Sequence, residues 1–173
     1  MDLGPVDRIT ADAIGEPGSR IFYIQARAGG ELVTVIVEKE QVQLLAASVL
    51  ELLTEVPDDA VGDEPGMELE QPFDPRWRAR RISLGWNEDR ELFMLEIEEL
   101  LQGLEELEDD DPRASEVAPE SIRLWASPRQ MLALSRHGAA VAARGRPTCQ
   151  FCGNPIDPEG HTCPAMNGHS RRD

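Results

Sequence analysis

The order of apolar patterns along this chain predicts an α+β fold: two β-β-β-α pseudo-repeats packed as one domain, followed by a small C-terminal zinc knuckle. Three observations lead there. Alternating apolar runs arrive in hairpin pairs, and each set gives way to one stretch of helical period. Similar residues recur at the two strand-to-helix junctions, and all three cysteines fall between Cys149 and Cys163.

In the first unit, Arg8 to Ile14 reads as a short strand and Gly15, Glu16, Pro17 and Gly18 as a turn. Ile21, Phe22, Tyr23 and Ile24 form a dense apolar strand, and Leu32 to Val37 a β-branched return across a turn at Ala28, Gly29 and Gly30. From Glu38 the period becomes helical: Val42, Leu45, Ala46, Val49, Leu52 and Leu53 share one face until Pro57 stops the run. In the second unit, Ile82, Leu84 and Trp86 alternate with polar residues over Arg80 to Trp86. Asn87, Glu88 and Asp89 turn the chain, and Leu92 to Glu98 places Phe93, Leu95 and Ile97 on a common face. Ile122, Leu124 and Ala126 mark a third strand, after which Ser127 and Pro128 offer an N-cap and an N1 proline to a helix. That helix carries Met131, Leu134, Gly138, Val141 and Ala142 on one side and ends at Gly145 and Pro147. The junctions Val37-Glu-Lys-Glu-Gln-Val-x-x-Leu and Ala126-Ser-Pro-Arg-Gln-Met-x-x-Leu put Gln41 and Gln130 at equivalent positions. Neither half has enough core to stand alone, so the two are expected to share one.

The predicted organisation is therefore a duplicated α+β domain over residues 1–147 and a zinc-binding tail over 148–173. Two acidic stretches, near 58–75 and 105–120, replace apolar residues with carboxylates and Pro and read as acidic linkers, the first of them mobile. The net charge of -16 comes from 33 acidic and 17 basic residues, and Lys39 is the one lysine. Residues 1–120 carry most of the negative charge, whereas 121–173 hold seven arginines against three acids. Such a body repels nucleic acid and anionic lipid. No run of 18 apolar residues occurs and the first residues lack a signal-peptide pattern, so a cytoplasmic protein without membrane contact is expected.

The tail reads Cys149-Gln-Phe-Cys152-Gly153, then Gly160-His161-Thr162-Cys163-Pro164, with His169 beyond. Two thiolates two residues apart reach one tetrahedral ion, and the glycine after them permits a tight turn that aims backbone N–H groups at sulfur. Cys149, Cys152 and Cys163 are three ligands of one structural zinc ion on this reading. The fourth is His161, framed by Gly160 and Pro164, with His169 as the alternative ligand. A closed set of four leaves no coordination position for catalysis. A redox Cys-x-x-Cys is the competing reading, but such motifs open a helix after a strand, and this one follows a helix.

Other candidates are weaker. His137, beside Arg136 on the last helix, defaults to the surface, and Asp109 to Asp111 to solvated linker. No nucleophile elbow, P-loop or dinucleotide fingerprint occurs. Trp125 alternates with Ile122 and Leu124 and is either packed on a second covered face or exposed as a partner anchor. With Arg129, Arg136 and Arg144 it marks a candidate partner surface, which Arg146, Arg171 and Arg172 extend towards the tail.

Several segments resemble an actinobacterial family described only as a domain of unknown function, number 3090 in its series. They are Gly-Glu-Pro-Gly-x-Arg-x-Phe-Tyr-x-Gln-Ala-Arg (Gly15 to Arg27), Val-x-Val-Glu-Lys-x-Gln-Val (Val35 to Val42), Leu-Gly-Trp (Leu84 to Trp86), and the tail from Gly-Arg-Pro-x-Cys-x-x-Cys-Gly through Gly-His-x-Cys-Pro. The resemblance implies no established activity. It implies the His-x-Cys pairing, with tyrosine often in place of His169, and so favours His161. It also implies an actinobacterial cytoplasmic setting.

The function expected from these features is a non-catalytic module that binds another protein or regulates one. The alternatives are a small metabolite-acting enzyme with a site between the two halves, and nucleic-acid contact through the Arg-rich end. The acidic body and the lack of an aromatic stacking platform in the knuckle argue against the last.

Overall fold

Gly29 and Gly30 both take positive φ, 56° and 89°, and so close a two-residue turn that glycine makes without strain. The turn joins β3 (Ile21–Ala28) to β4 (Glu31–Val37), whose ends pair as Ala28 with Glu31. The computed structural model describes residues 1–54, 66–101, 118–145, 147–156 and 160–166. Along them run β1 (Asp2–Pro5), β2 (Arg8–Ile14), β3, β4, α1 (Lys39–Leu53), β5 (Pro75–Asn87), β6 (Leu92–Glu99), β7 (Ser121–Ala126) and α2 (Pro128–Ala143). The fold is α+β. None of the helices among the described residues is long and apolar enough to cross a membrane.

The seven strands order as β1-β7-β6-β5-β4-β3-β2. Strands β2, β3 and β4 pair antiparallel, as do β5, β6 and β7, whereas β4 meets β5 and β1 meets β7 in parallel. Only Val6 and Asp7 separate β1 from β2, so the two edges of the sheet are consecutive in the chain. The Val6 amide donates to the Trp125 carbonyl and the Asp7 amide to the Arg27 carbonyl, each at 2.8 Å. Two adjacent residues thus stitch one edge to the other, and the sheet curls towards closure.

Inside that curl, Phe93, Leu95, Ile97, Ile122 and Leu124 meet Ile24, Val33 and Val35, and the apolar stripes of α1 and α2 close over them. The stripes are those the helical period predicts: Val42, Leu45, Ala46 and Val49 on α1, and Met131, Leu134, Gly138, Val141 and Ala142 on α2 are buried. The helices pack on each other closely enough for the Ser135 hydroxyl to donate to the Ala46 carbonyl at 2.8 Å.

Three features depart from the expectation. Strand β1 reads Asp-Leu-Gly-Pro, residues that favour turns, and becomes a strand because β7 offers its edge, Asp2 opposite Arg123 and Pro5 opposite Trp125. Strand β5 starts at Pro75, five residues before the alternation at Arg80, because its first turn of chain pairs with β4, Thr34 opposite Pro75 and Ile36 opposite Arg78. Proline is tolerated there as the strand's first residue. The described end of the first acidic stretch, residues 66–74, is packed and not a free linker. The Arg8 Nε donates to the Gly66 carbonyl at 2.7 Å, and the Thr10 hydroxyl to the Met67 carbonyl. Gln25 and Glu70 exchange two hydrogen bonds, Arg27 pairs with Glu70, and Phe73 meets the Tyr23 ring edge to face at 4.8 Å. This segment covers the polar face of β2, β3 and β4, where Thr10, Gln25 and Thr34 are buried. The remainder of that stretch, 58–65, lies outside the described residues, as do 105–117 of the second.

Candidate metal centre

Past α2 the chain makes a miniature hairpin. Thr148 bridges Pro155, the Ile156 amide donates to the Pro147 carbonyl at 2.7 Å, and the Cys149 amide donates to the Asn154 carbonyl at 2.8 Å. The tip turns tightly: the Gly153 amide returns to the Cys149 carbonyl at 2.8 Å, and Gly153 sits at a φ of 73°, the conformation for which glycine is suited. Cys149 and Cys152 project from this hairpin. A second turn at Gly160, φ 94°, presents His161 and Cys163 and runs into a single 3-10 turn, Pro164–Met166.

These turns bring Cys149, Cys152, His161 and Cys163 together with their ligand atoms all within 4.8 Å of one another. The Cys149 and Cys163 sulfurs are 3.8 Å apart, and the Cys152 sulfur lies 3.3 Å from His161 Nε2. All three cysteines are free. A tetrahedral ion with sulfur ligands at about 2.3 Å requires a sulfur–sulfur edge of about 3.8 Å, the spacing of the Cys149–Cys163 pair. The donor set therefore fits a metal ion, and two of its members, Cys149 and Cys163, are buried at 6% and 3% exposure.

The electrostatics of the two buried thiols differ. Backbone amides of Phe151 and then Cys152 point at the Cys149 sulfur and lower its pKa to about 6. Burial pushes the Cys163 thiol up. One site thus supplies an anionic ligand at neutral pH and, beside it, a ligand whose proton must be displaced by the ion.

The other sequence candidates are scattered. His169, Arg146, Arg171, Arg172 and Asp109 to Asp111 lie outside the described residues. Trp125 is 7% exposed and is not a free anchor: its indole N–H donates to the Asp2 carboxylate at 3.1 Å, and the Arg90 guanidinium stacks 4.3 Å above its ring. The covering element is β1, whose turn-like composition hides it in the sequence. His137 is half-buried and not on the surface, its Nε2 3.5 Å from Asp12 Oδ1 at the contact of α2 with β2. Arg129, Arg136 and Arg144 are exposed on α2 and its C-cap.

No curated protein and no solved structure matches this chain. A family model does match over residues 1–163, a span that takes in all four side chains of the Cys/His cluster. The chain belongs to the DUF3090 family, proteins of unknown function.

Proposed function

We propose that Cys149, Cys152, His161 and Cys163 hold one structural zinc ion, and that the protein is a non-catalytic module whose metal-built tail helps to bind another protein. The observation that carries this reading is the convergence of four donor atoms within 4.8 Å. Four protein ligands fill a tetrahedron and leave no position for water or substrate, the mark of a structural site. Three thiolates and an imidazole are soft donors that suit zinc and disfavour magnesium or calcium. His161 is supported over His169 by its 3.3 Å approach to the Cys152 sulfur.

The metal is needed because the tail has almost nothing to bury. Structural zinc in small peptides contributes roughly 10–16 kcal/mol in apparent terms, enough to order such a turn pair without a core. What it orders is a surface: Phe151, between the two hairpin cysteines, is 55% exposed, and the exposed Arg136 and Arg144 lie on the preceding helix. An exposed apolar ring and exposed cationic side chains suit an acidic protein partner, and thiolate ligands kept reduced suit the cytoplasm. The body, on the same reading, is two β-β-β-α halves of common design, β2 to α1 and β5 to α2. The matched roles of Gln41 and Gln130 support it.

Metal analysis of protein purified without chelator tests the first part: one zinc per chain is expected, and a metal-free folded protein would overturn it. Affinity capture from a native lysate, repeated with Cys149→Ser, tests the second. A specific partner lost in the variant is the expected result, and retention of every captured protein would count against the tail as the binding surface.

A further inference from the structure

In a chain with 33 acidic residues and 17 basic ones, a cation is expected to find a carboxylate neighbour. The arginines of the sheet follow the rule. Arg8 and Arg27 pair with Glu70, Arg76 with Glu31, Arg78 with Glu38, Arg80 and Arg81 with Glu98, and Arg123 with Glu96. Arg20, Lys39, Arg90, Arg136 and Arg144 are in no ion pair with a carboxylate among the described residues, and of these Arg20 and Lys39 line the same cleft.

The cleft holds about 580 Å³ and lies where β3 and the start of α1 face the end of α2 and the tail hairpin. That volume falls within the range of small-molecule sites, roughly 300–1,000 Å³. Lys39, at the first position of α1, and Arg20, entering β3, supply positive charge from two elements. Arg20 is held in place by one hydrogen bond, from Nη1 to the Val141 carbonyl at 3.0 Å, which leaves its other guanidinium N–H groups for a ligand. Phe22 and Val37 add apolar wall, and Thr148 and Pro155 of the hairpin close the far side. Two carboxylates and a third cation share the lining: Glu38 is engaged by Arg78, and Glu40 is exposed and in no ion pair among the described residues.

We propose that this cleft binds a small phosphomonoester, its phosphate held between Lys39 and Arg20 and its organic part against Phe22. A dianion matches two cations that no direct ion pair engages, and phosphate suits the pairing of a guanidinium fork with an ammonium point charge. The structural role of Arg20 at the end of α2 accounts for its one bond to Val141. It does not account for Lys39, which makes no hydrogen bond or ion pair among the described residues.

Lys39 is the one lysine, so amine acylation read by peptide mass spectrometry reports on it directly, with the Met1 amine as internal control. In the metal-loaded full chain, ribose 5-phosphate and inorganic phosphate are expected to protect Lys39 but not Met1, and ribose to protect neither. Calorimetric titration with ribose 5-phosphate should show saturable binding that weakens about tenfold in Lys39→Met, the loss of one charge-assisted contact. Arg20→Lys, which keeps the charge but loses the fork, should weaken it less than Arg20→Met. Unchanged acylation of Lys39 at about 10 mM of either phosphate, the scale of the weakest specific binding, would overturn the proposal. Binding that is indifferent to Lys39→Met in a variant of unaltered circular dichroism would overturn it equally.

Discussion

Gln41 and Gln130 make the same set of bonds at the starts of two different helices. Each is the third residue of its helix and closes a capping box, with its Oε1 accepting from the N-cap amide, Glu38 at 2.8 Å and Ser127 at 2.9 Å. Each also turns its Nε2 onto two consecutive carbonyls of a neighbouring strand or strand link: Ala79 and Arg80 for Gln41, Val6 and Asp7 for Gln130. In both cases the target chain is the one that runs parallel to the strand preceding the helix, β5 beside β4 and β1 beside β7. One side chain thus ties a helix start to the parallel crossing at that point. Replacing Gln130 by Ala removes the N-cap partner and the bonds to Val6 and Asp7, and is expected to cost about 2 kcal/mol. Gln41→Ala should cost less, about 1 kcal/mol, because its strand bonds are longer, 3.4 and 3.2 Å against 2.9 and 3.3 Å. Urea unfolding midpoints measure both, and equal or negligible losses would contradict the assignment.

Gly138 sets how closely α2 approaches its neighbours. A methyl group there would lie 3.0 Å from Val42 Cγ1 on α1 and 3.3 Å from the Ala11 Cβ on β2. Alanine is favoured over glycine in a helix by about 1 kcal/mol, but overpacking a filled core costs about 1–3 kcal/mol. The clash wins here, because Val42 has a stiff β-branched side chain and the Ala11 carbon is fixed to the sheet. Gly138→Ala is therefore expected to destabilise by about 1 kcal/mol. Val42→Ala, costly by itself, should be less so in the Gly138→Ala background, and a double-mutant cycle in thermal unfolding reads that coupling.

What the sequence made legible follows from what kind of bond holds each piece. Strands β3, β4 and β6 and both helices are held by side-chain burial, which writes a period into the chain: Phe93, Leu95 and Ile97 alternate, and Met131, Leu134, Val141 and Ala142 return every turn. The Cys/His cluster was legible for a similar reason, since the reach of two thiolates from one turn constrains spacing to Cys-x-x-Cys. Strand β1, the start of β5 and residues 66–74 are held by backbone groups of distant partners, as in Asp2 opposite Arg123 or Thr34 opposite Pro75. No local period records such pairings. The cleft cations were hidden too, because Arg20 and Lys39 look like any surface charge until the fold brings both to the lining of one cleft.

Gln25 illustrates how a carboxylate-rich segment can be held by its backbone as well as by its few apolar side chains. It is fully buried, and it faces Glu70 as a strand would: the Glu70 amide donates to Gln25 Oε1 at 2.7 Å, and Gln25 Nε2 donates to the Glu70 carbonyl at 3.1 Å. A second donation, to the Thr34 hydroxyl at 3.0 Å, fixes the amide's orientation. Gln25→Leu leaves the Glu70 amide and carbonyl and the Thr34 hydroxyl without this partner, for an expected loss of about 2–4 kcal/mol. Hydrogen exchange separates this from a general core defect. The Glu70 amide should lose protection well before those of β6, whereas simultaneous loss across the sheet would show that the segment is not a separately held layer.

Chelation tests the division of labour between metal and core. The tail hairpin rests on few backbone bonds, so removing the proposed zinc should release the Cys149, Gly153 and Ile156 amides to fast exchange. Amides of β3, β4 and β6, whose stability comes from the shared core, should keep their protection. The pH dependence of metal uptake carries a sign that the thiol environments dictate. A thiolate binds the ion and a thiol does not, so each ligand still protonated in the metal-free protein makes affinity rise with pH. Cys163, with its thiol pushed up by burial, contributes such a proton through the neutral range. Cys149, held at about 6 by the amides of Phe151 and Cys152, is already ionised there and contributes only at lower pH. The logarithm of the affinity should therefore steepen as pH falls through about 6, and Cys149→Ser should reduce that steepening by about one proton while weakening binding throughout. Competition titrations against a chromophoric chelator on either side of pH 6 measure the slope, and a straight line through that point would show that the Cys149 sulfur is not held as an anion by its turn.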